Sequence, residues 1–358
     1  MEYKEFLDGL YKVAQKNRIP VVGTFELTSR CNLSCKMCYI NHPAYDPESI
    51  SKELSAKVWI NLAREARDEG MLFLLLTGGE VFIRPDFQEI YEEVSDMGFI
   101  IDILTNATLL TSKIIKWLGK IPPSKVGVTL YGASRKTYEN VCGNGNGFDL
   151  AVRGIDLLLQ EGITVELRTT IIKRNVQDFD KMIQFADKRN IPILYGDYIF
   201  SRKDGTNITL TEEERLTPEE LDRFRSYTRL LISNDPTKLV GINLNKFSES
   251  EINSFGPYCC KAGNYSFWMT WDGRMSPCGQ NDTPYTLPQK IGIKQAWQDL
   301  YRISHEIPVC KECNQCSLRG YCITCPAALK SETGFFDKPA HYLCEFAKLV
   351  KARIDREK

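Results

Sequence analysis

The sequence predicts an α/β chain: a mostly parallel sheet with helices outside it, followed by a small cysteine-rich C-terminal domain. Three observations predict it. Short apolar, β-branched runs alternate with amphipathic stretches through residues 21–200. The strands read as continuous apolar segments, as strands of a parallel sheet covered on both faces do. The 13 cysteines are clustered: three fall between Cys31 and Cys38, and nine between Cys259 and Cys344.

Residues 1–18 read as a short amphipathic helix with Phe6, Leu10 and Val13 on one side. The first strand spans Val21 to Thr28, and the first cysteine loop follows it. A helix is expected from Lys52 to Glu69, where Leu54, Val58, Leu62 and Ala66 recur every fourth residue and Gly70 ends the run. Then come strand Leu72–Leu76, helix Asp86–Met97, strand Phe99–Leu104, helix Ser112–Leu118 and strand Lys125–Leu130. Helix Phe148–Gln160, strand Ile163–Ile172, helix Phe179–Arg189 and strand Ile191–Phe200 complete six β/α units. Six units are fewer than the eight that close a standard barrel. Ser201–Arg215 reads as a polar loop over the sheet's mouth, with the acidic run Glu212–Glu214 a solvated face. Pro218–Leu231 is a helix capped by Thr217. Asn234–Gly256, rich in Asn, Ser, Asp and Lys, reads as a linker. Trp268–Met275 forms a hairpin turning at Asp272-Gly273, and Glu345–Ile354 is a closing helix.

Composition excludes several classes. A chain of 358 residues buries a full core and has room for two domains. Formal net charge is zero, which argues against a nucleic-acid or membrane-surface partner. The longest wholly apolar run, Met71–Leu76, is far too short to span a bilayer. The N-terminal residues carry charge throughout and show no signal-peptide pattern, so a cytoplasmic protein is expected. In a reducing compartment, clustered cysteines indicate metal rather than disulfides.

The run Cys31-Asn-Leu-Ser-Cys35-Lys-Met-Cys38 directly follows the first strand, at the strand end where parallel α/β folds place their chemistry. Thiolates are soft ligands that suit iron–sulfur clusters and zinc. Three on one loop hold three corners of a four-iron cluster and leave the fourth iron open. The alternative is a structural zinc site, for which His42 is the nearby fourth ligand.

At these residues the chain resembles the radical SAM superfamily, whose signature is C-x3-C-x-Φ-C with Φ usually aromatic; here Φ is Met37. The resemblance implies a partial (β/α)6 barrel, open on one side, over residues 21–232, after an N-terminal helix (1–20) and before a linker (233–256). It implies that S-adenosylmethionine (SAM) chelates the open iron, that one electron cleaves it, and that the resulting 5′-deoxyadenosyl radical abstracts hydrogen from a substrate. Further matches name cofactor-binding residues. Thr77-Gly78-Gly79-Glu80 resembles the family's G-G-E-P, whose backbone binds the SAM amino group; Val81 replaces the proline. The same two glycines also suit an ordinary strand-to-helix turn. Thr105–Leu110 resembles T-N-G-T-L-L, with Ala107 for glycine. Val128–Ser134 matches the stretch whose hydroxyl contacts the SAM ribose, which names Thr129 and puts Tyr131 in place of an acid. Cys142 stands where related chains carry arginine, so Arg168 is a candidate for the SAM carboxylate, or else one partner of a salt bridge. Met37 completes the set.

The second cluster matches the SPASM extension, C-x(9–15)-G-x4-C, a gap, C-x2-C-x5-C-x3-C, a gap and C. Cys260, Gly273 and Cys278 fit the first part; Cys313, Cys316, Cys322 and Cys325 fit the second with one residue fewer before Cys325; Cys344 closes the set. The resemblance implies that residues 257–358 hold two auxiliary [4Fe-4S] clusters, one on Cys260, Cys278 and Cys325 and one on Cys313, Cys316, Cys322 and Cys344. Cys259 is a candidate fourth ligand for the first, and Cys310 is a spare ligand or none. Zinc is the structural alternative here too.

The implied function is modification of a peptide or protein side chain, as in maturases of ribosomally made peptides: crosslinking, thioether formation, epimerisation or oxidative decarboxylation. It implies an electron donor such as a flavodoxin or ferredoxin. With the first strand beginning by residue 21, a separate leader-binding protein or direct recognition is expected. A sulfatase-maturing type enzyme is an alternative, but such enzymes carry an acid directly after the cysteine matched by Cys278; here Gly279 and Gln280 follow, with Asp282 beyond them. A non-catalytic electron-transfer or zinc scaffold is the third reading, against which the Thr77–Glu80 match argues. No catalytic acid or base is identified.

Overall fold

A computed structural model describes residues 3–40, 42–203, 213–234, 239–241, 256–258, 260–281, 283–323 and 325–357. Helix α1 (Tyr3–Asn17) leads into β1 (Val22–Glu26). Helices α2 (Pro47–Lys52) and α3 (Ala56–Asp68) cross to β2 (Phe73–Thr77), and α4 (Phe87–Asp96) to β3 (Ile100–Thr105). Then α5 (Ser112–Leu118) leads to β4 (Lys125–Thr129), α6 (Arg135–Cys142) and α7 (Gly147–Gln160) to β5 (Val165–Thr170), and α8 (Phe179–Asp187) to β6 (Ile193–Gly196). The six strands pair in parallel in sequence order.

Within the sheet the side chains alternate. Leu74, Leu76, Ile101, Ile103, Val126, Val128 and Leu167 are buried in one apolar core with Trp59, Ile90 and Ile155 of the helices. Asp102, Lys125, Glu166 and Arg168 fall on the opposite face, since strand residues two apart point the same way. Lys125 Nζ lies 3.1 Å from Glu166 and 3.8 Å from Asp102, and Arg168 2.9 Å from Glu166. The strands are therefore apolar towards the helices and charged on the inner face, a finer pattern than the continuous apolar runs expected.

Two expectations are corrected and two features are added. The helix expected over Lys52–Glu69 begins only at Ala56, after a separate α2 that ends at Lys52, because Glu53 adopts an extended conformation (ψ 135°) that sends its carboxylate under the cysteine loop. Helix α6 is an element to which the sequence reading gave no structure; Ser134 caps its start by accepting from Thr137 N (3.1 Å), and Gly143 ends it at φ +69°. The linker stretch contains β7 (Leu239–Gly241), which extends the sheet beyond β6; much of 233–256 lies outside the described residues. At the other edge, β8 (Ser266–Met269) from the cysteine-rich region pairs in parallel with β1, and β9 (Met275–Ser276) runs antiparallel to it. The expected hairpin thus covers the exposed edge of β1, whose unpaired backbone groups would otherwise face water.

Helix α9 (Pro218–Asn234) starts with the expected cap as a reciprocal box: Thr217 Oγ1 accepts from Glu220 N (3.2 Å), and the Glu220 carboxylate accepts from Thr217 N (2.8 Å). After β9 come α10 (Pro288–Ile291), α11 (Ile293–His305), α12 (Lys311–Gln315), α13 (Pro326–Thr333) and α14 (His341–Glu357). Only the last was expected, and in shorter form. Among the described residues no helix is long and apolar enough to cross a membrane.

Candidate functional site

The first cysteine loop is held at the C-terminal end of β1 by backbone of the turn after β2. Gly79 N donates to Thr28 O (2.8 Å) and Glu80 N to Arg30 O (2.9 Å). A Cβ on Gly78 would sit 2.4 Å from Thr28 O, and one on Gly79 2.3 Å from Arg30 O. So the two glycines here serve close backbone approach. Gly79→Ala is expected to destabilise the cluster-free protein by about 1–3 kcal/mol through overpacking against an immobile carbonyl and to lower iron retention. Urea unfolding and iron content measure the two effects, and wild-type values for both would show that this contact does not set the loop.

The loop after β3 clamps the other side. Asn106 Nδ2 donates to Asn32 Oδ1 (3.0 Å) and approaches Cys31 Sγ (3.6 Å), while Asn32 Nδ2 donates to Thr108 Oγ1 (2.8 Å). Ala107 takes φ +59°, a left-handed conformation that suits the glycine of the family motif. Glu80 is fully buried: its carboxylate accepts from Thr105 Oγ1 (2.8 Å), Asn106 N (2.8 Å) and Phe82 N (3.1 Å). Its side chain therefore ties two loops together. Burial raises its pKa above the ordinary carboxylate value despite these donors.

The three thiols share one loop and act on one another electrostatically. Burial raises the Cys31 pKa, and the negative charges of Glu80, Cys35 and Cys38 add to it. Cys35 is raised chiefly by its hydrogen bond with Cys142 and then by burial, while the Tyr131 hydroxyl against it works the other way. Buried, mutually repelling thiols are costly to ionise unless a cation is present, and a coordinated thiol is deprotonated outright. Among the described residues no three His, Cys, Asp or Glu side chains converge as ligands of one metal ion. A four-iron cluster fits this arrangement, since each cysteine serves a different iron. His42 is engaged with Ser49 (2.6 Å) and Asp46 (3.8 Å).

Two polar assemblies around the loop were missed in the sequence. Beneath it, Arg30 makes a bidentate pair with Glu53 (2.7 and 2.9 Å), and Arg84 bridges Glu53 (3.5 Å), Asp86 (2.7 Å) and Leu27 O (2.8 Å). On the inner side, Glu26 is fully buried at the end of β1. Its Oε2 accepts from Tyr39 (3.0 Å), Trp268 Nε1 (3.1 Å) and Lys203 (3.3 Å); its Oε1 is buried without a partner among the described residues. Tyr39 senses the charges of both Cys38 and Cys278, so Glu26 lies between the two cysteine regions. The available signal was an acid inside the apolar run of β1. Trp268, expected as packing, belongs to this assembly.

The other named residues divide. Thr129 ends β4 on the same face as Lys125, half-buried, and Met37 packs half-buried against the core. The Arg168 guanidinium is held by Glu166 at 2.9 Å, which is the salt-bridge alternative weighed in the sequence. Cys142 is buried behind Cys35.

In the C-terminal region, burial pushes Cys325 up to about 12, and the charges of Cys260 and Cys278 add to it. Cys313, Cys322, Cys344 and Cys310 form a second group, and Cys316 adjoins it through Cys344. Cys259 and Asp282 lie outside the described residues. A Cβ on Gly279 would meet the Trp268 ring at 2.5 Å, so the chain has no room for the acid of the sulfatase-maturing type at that position. A surface groove of about 730 Å³ between α7 and α8 carries none of these cysteines.

Residues 25–186 match the radical SAM superfamily. The chain is 36% identical over 215 residues to Fe-coproporphyrin III synthase of Methanosarcina barkeri (59% of this chain, 53% of that protein). To the AdoMet-dependent heme synthase of the same organism it is 23% identical over 337 residues (88% and 93%). It is 30% identical over 168 residues to AlbA, a Bacillus subtilis subtilosin biosynthesis protein (46% and 36%). The match thus spans about half of the first relative. By structure it resembles Streptococcus suis SuiB bound to its precursor peptide SuiA, with TM-score 0.71 and 18% identity over 96% of this chain and 81% of that one.

Proposed function

We propose that the chain, whose residues 25–186 match the radical SAM superfamily, cleaves SAM to abstract hydrogen from a peptide or protein side chain. The observation that carries this reading is the joint docking of Gly78-Gly79 and Asn106 on the Cys31–Cys38 loop at the end of β1. Cys31, Cys35 and Cys38 would hold a [4Fe-4S] cluster, which when bound supplies the electron that breaks a carbon–sulfur bond of SAM. The Gly78–Gly79 backbone would meet the SAM amino group, and Thr129 and Met37 would line its nucleoside side. Glu80 positions both loops. Arg168 is not assigned, since Glu166 holds it. Cys260, Cys278 and Cys325 would hold one auxiliary cluster, and Cys313, Cys316, Cys322 and Cys344 another. The reducing electron comes from a flavodoxin- or ferredoxin-type donor. Leader recognition falls to the chain itself or to a separate protein. AlbA and the peptide-bound SuiB support the peptide substrate.

Iron and sulfide per chain after anaerobic reconstitution test this assignment. About twelve irons falling to about eight in the Cys31/Cys35/Cys38 triple alanine variant is the expected result. About four falling to none would leave the first cluster and remove the auxiliary ones, and with them the substrate class.

The two Methanosarcina relatives favour a second reading, a tetrapyrrole substrate. Incubation with SAM, reductant and either Fe-coproporphyrin III or small peptides encoded beside the gene separates the two. A mass change in the porphyrin, with none in any peptide, would replace the peptide reading.

A further inference from the structure

The C-terminal region brings five cysteines to a place where a four-iron cluster has four corners. Cys310 is almost fully buried (4% exposed) and caps the start of α12, its Sγ accepting from Cys313 N at 3.3 Å. Its sulfur lies 2.7 Å from Cys313 Sγ. The Cys310 charge acts on both Cys313 and Cys344, and Cys316, directly after α12, and Cys322, before α13, complete the group. Cys322 Sγ approaches Leu343 O at 3.7 Å, which ties this group to the first turn of α14.

We propose that Cys310 and Cys313 are alternative ligands to one iron of the cluster held with Cys316, Cys322 and Cys344. The inference rests on the auxiliary-cluster reading above. Each iron of a four-iron cluster takes one cysteine. Two sulfurs this close are too near to serve separate irons, so they address the same corner in turn. Exchange conserves charge and electrons: the incoming thiol loses a proton as it binds, and the outgoing thiolate takes one up. The two ligation states differ physically. Cys310 receives a backbone N–H and is buried, whereas Cys313 is half-buried, and hydrogen bonds and solvent exposure at the ligand sulfur set a cluster's reduction potential.

The test uses the full chain, reconstituted anaerobically, as wild type, Cys310→Ser, Cys313→Ser and the double variant. Iron and sulfide content and the EPR spectrum of the reduced protein are read without substrate. Each single variant is expected to keep the wild-type count of about twelve irons, with different EPR signals from the affected cluster in the two. The double variant is expected to lose at least one iron, and up to about four if the cluster is not retained. The irons of the other two clusters report that it folds. Loss of iron in Cys313→Ser alone or in Cys310→Ser alone would overturn the proposal, because one residue would then be the sole ligand. A full count in the double variant would overturn it too. A wild-type count of about four instead fails the auxiliary-cluster reading itself, a result distinct from these.

Discussion

Cys31→Ala or Cys38→Ala is expected to abolish 5′-deoxyadenosine formation from SAM and dithionite, a loss on the order of a thousandfold or more, at least about 4 kcal/mol of barrier. The size follows from how the loop is built. Gly79, Glu80 and Asn106 fix the backbone on either side of Cys31, and Cys38 N donates to Cys35 O at 3.1 Å, so the three sulfurs are presented by one rigid turn. Removing one leaves an iron without its thiolate while the other two sulfurs stay where they are. Cys35→Ala is expected to behave alike, with Cys142→Ala as control. The Cys142 thiol lies against Cys35 and is buried behind it, so Cys142→Ala is expected to keep SAM cleavage. Retained 5′-deoxyadenosine in Cys31→Ala or Cys38→Ala would mean that the first cluster is held elsewhere.

Glu53→Ala is expected to cost about 3–5 kcal/mol of unfolding free energy, the range for removing one partner of a buried ion pair. Glu53 is the only carboxylate among the described residues that the structure pairs with both Arg30 and Arg84, and all three side chains are less than a tenth exposed. Its loss leaves Arg30 with Ala44 O as remaining acceptor and shifts Arg84 wholly onto Asp86, Leu27 O and Leu54 O. Urea unfolding of the cluster-free protein gives the number. A double-mutant cycle with Arg30→Met isolates the coupling, because the two residues touch and their effects are not additive. A change under about 1 kcal/mol would show that water or neighbouring backbone replaces Glu53, and that the pair is worth no more than a surface one.

Several elements could be read directly. Six strands and most of their helices followed from apolar runs and caps, because these signals are local: Pro218 with Thr217, and Gly70 past a helix end, act within a few residues. Helix α6 had its signals as well, Ser134 and Gly143, yet its residues were read only as a motif. The cysteine spacings named two metal regions for the same reason, since ligands on one loop are close by covalent connection.

What tertiary structure decided is what no local pattern encodes. Glu53 breaks a helix because Arg30 and Arg84 wait for it across the fold. Glu26 and Trp268 stand 242 residues apart and meet only because β8 closes on β1. Arg168 is engaged by Glu166 because residues two apart on a strand share a face. The sequence by itself determined the strands, the cysteine groups and the resemblance to the radical SAM superfamily. Pairing across the sheet decided which charges meet, because buried charges take their partners from wherever the packed chain brings them, and an unpaired one is too costly to keep.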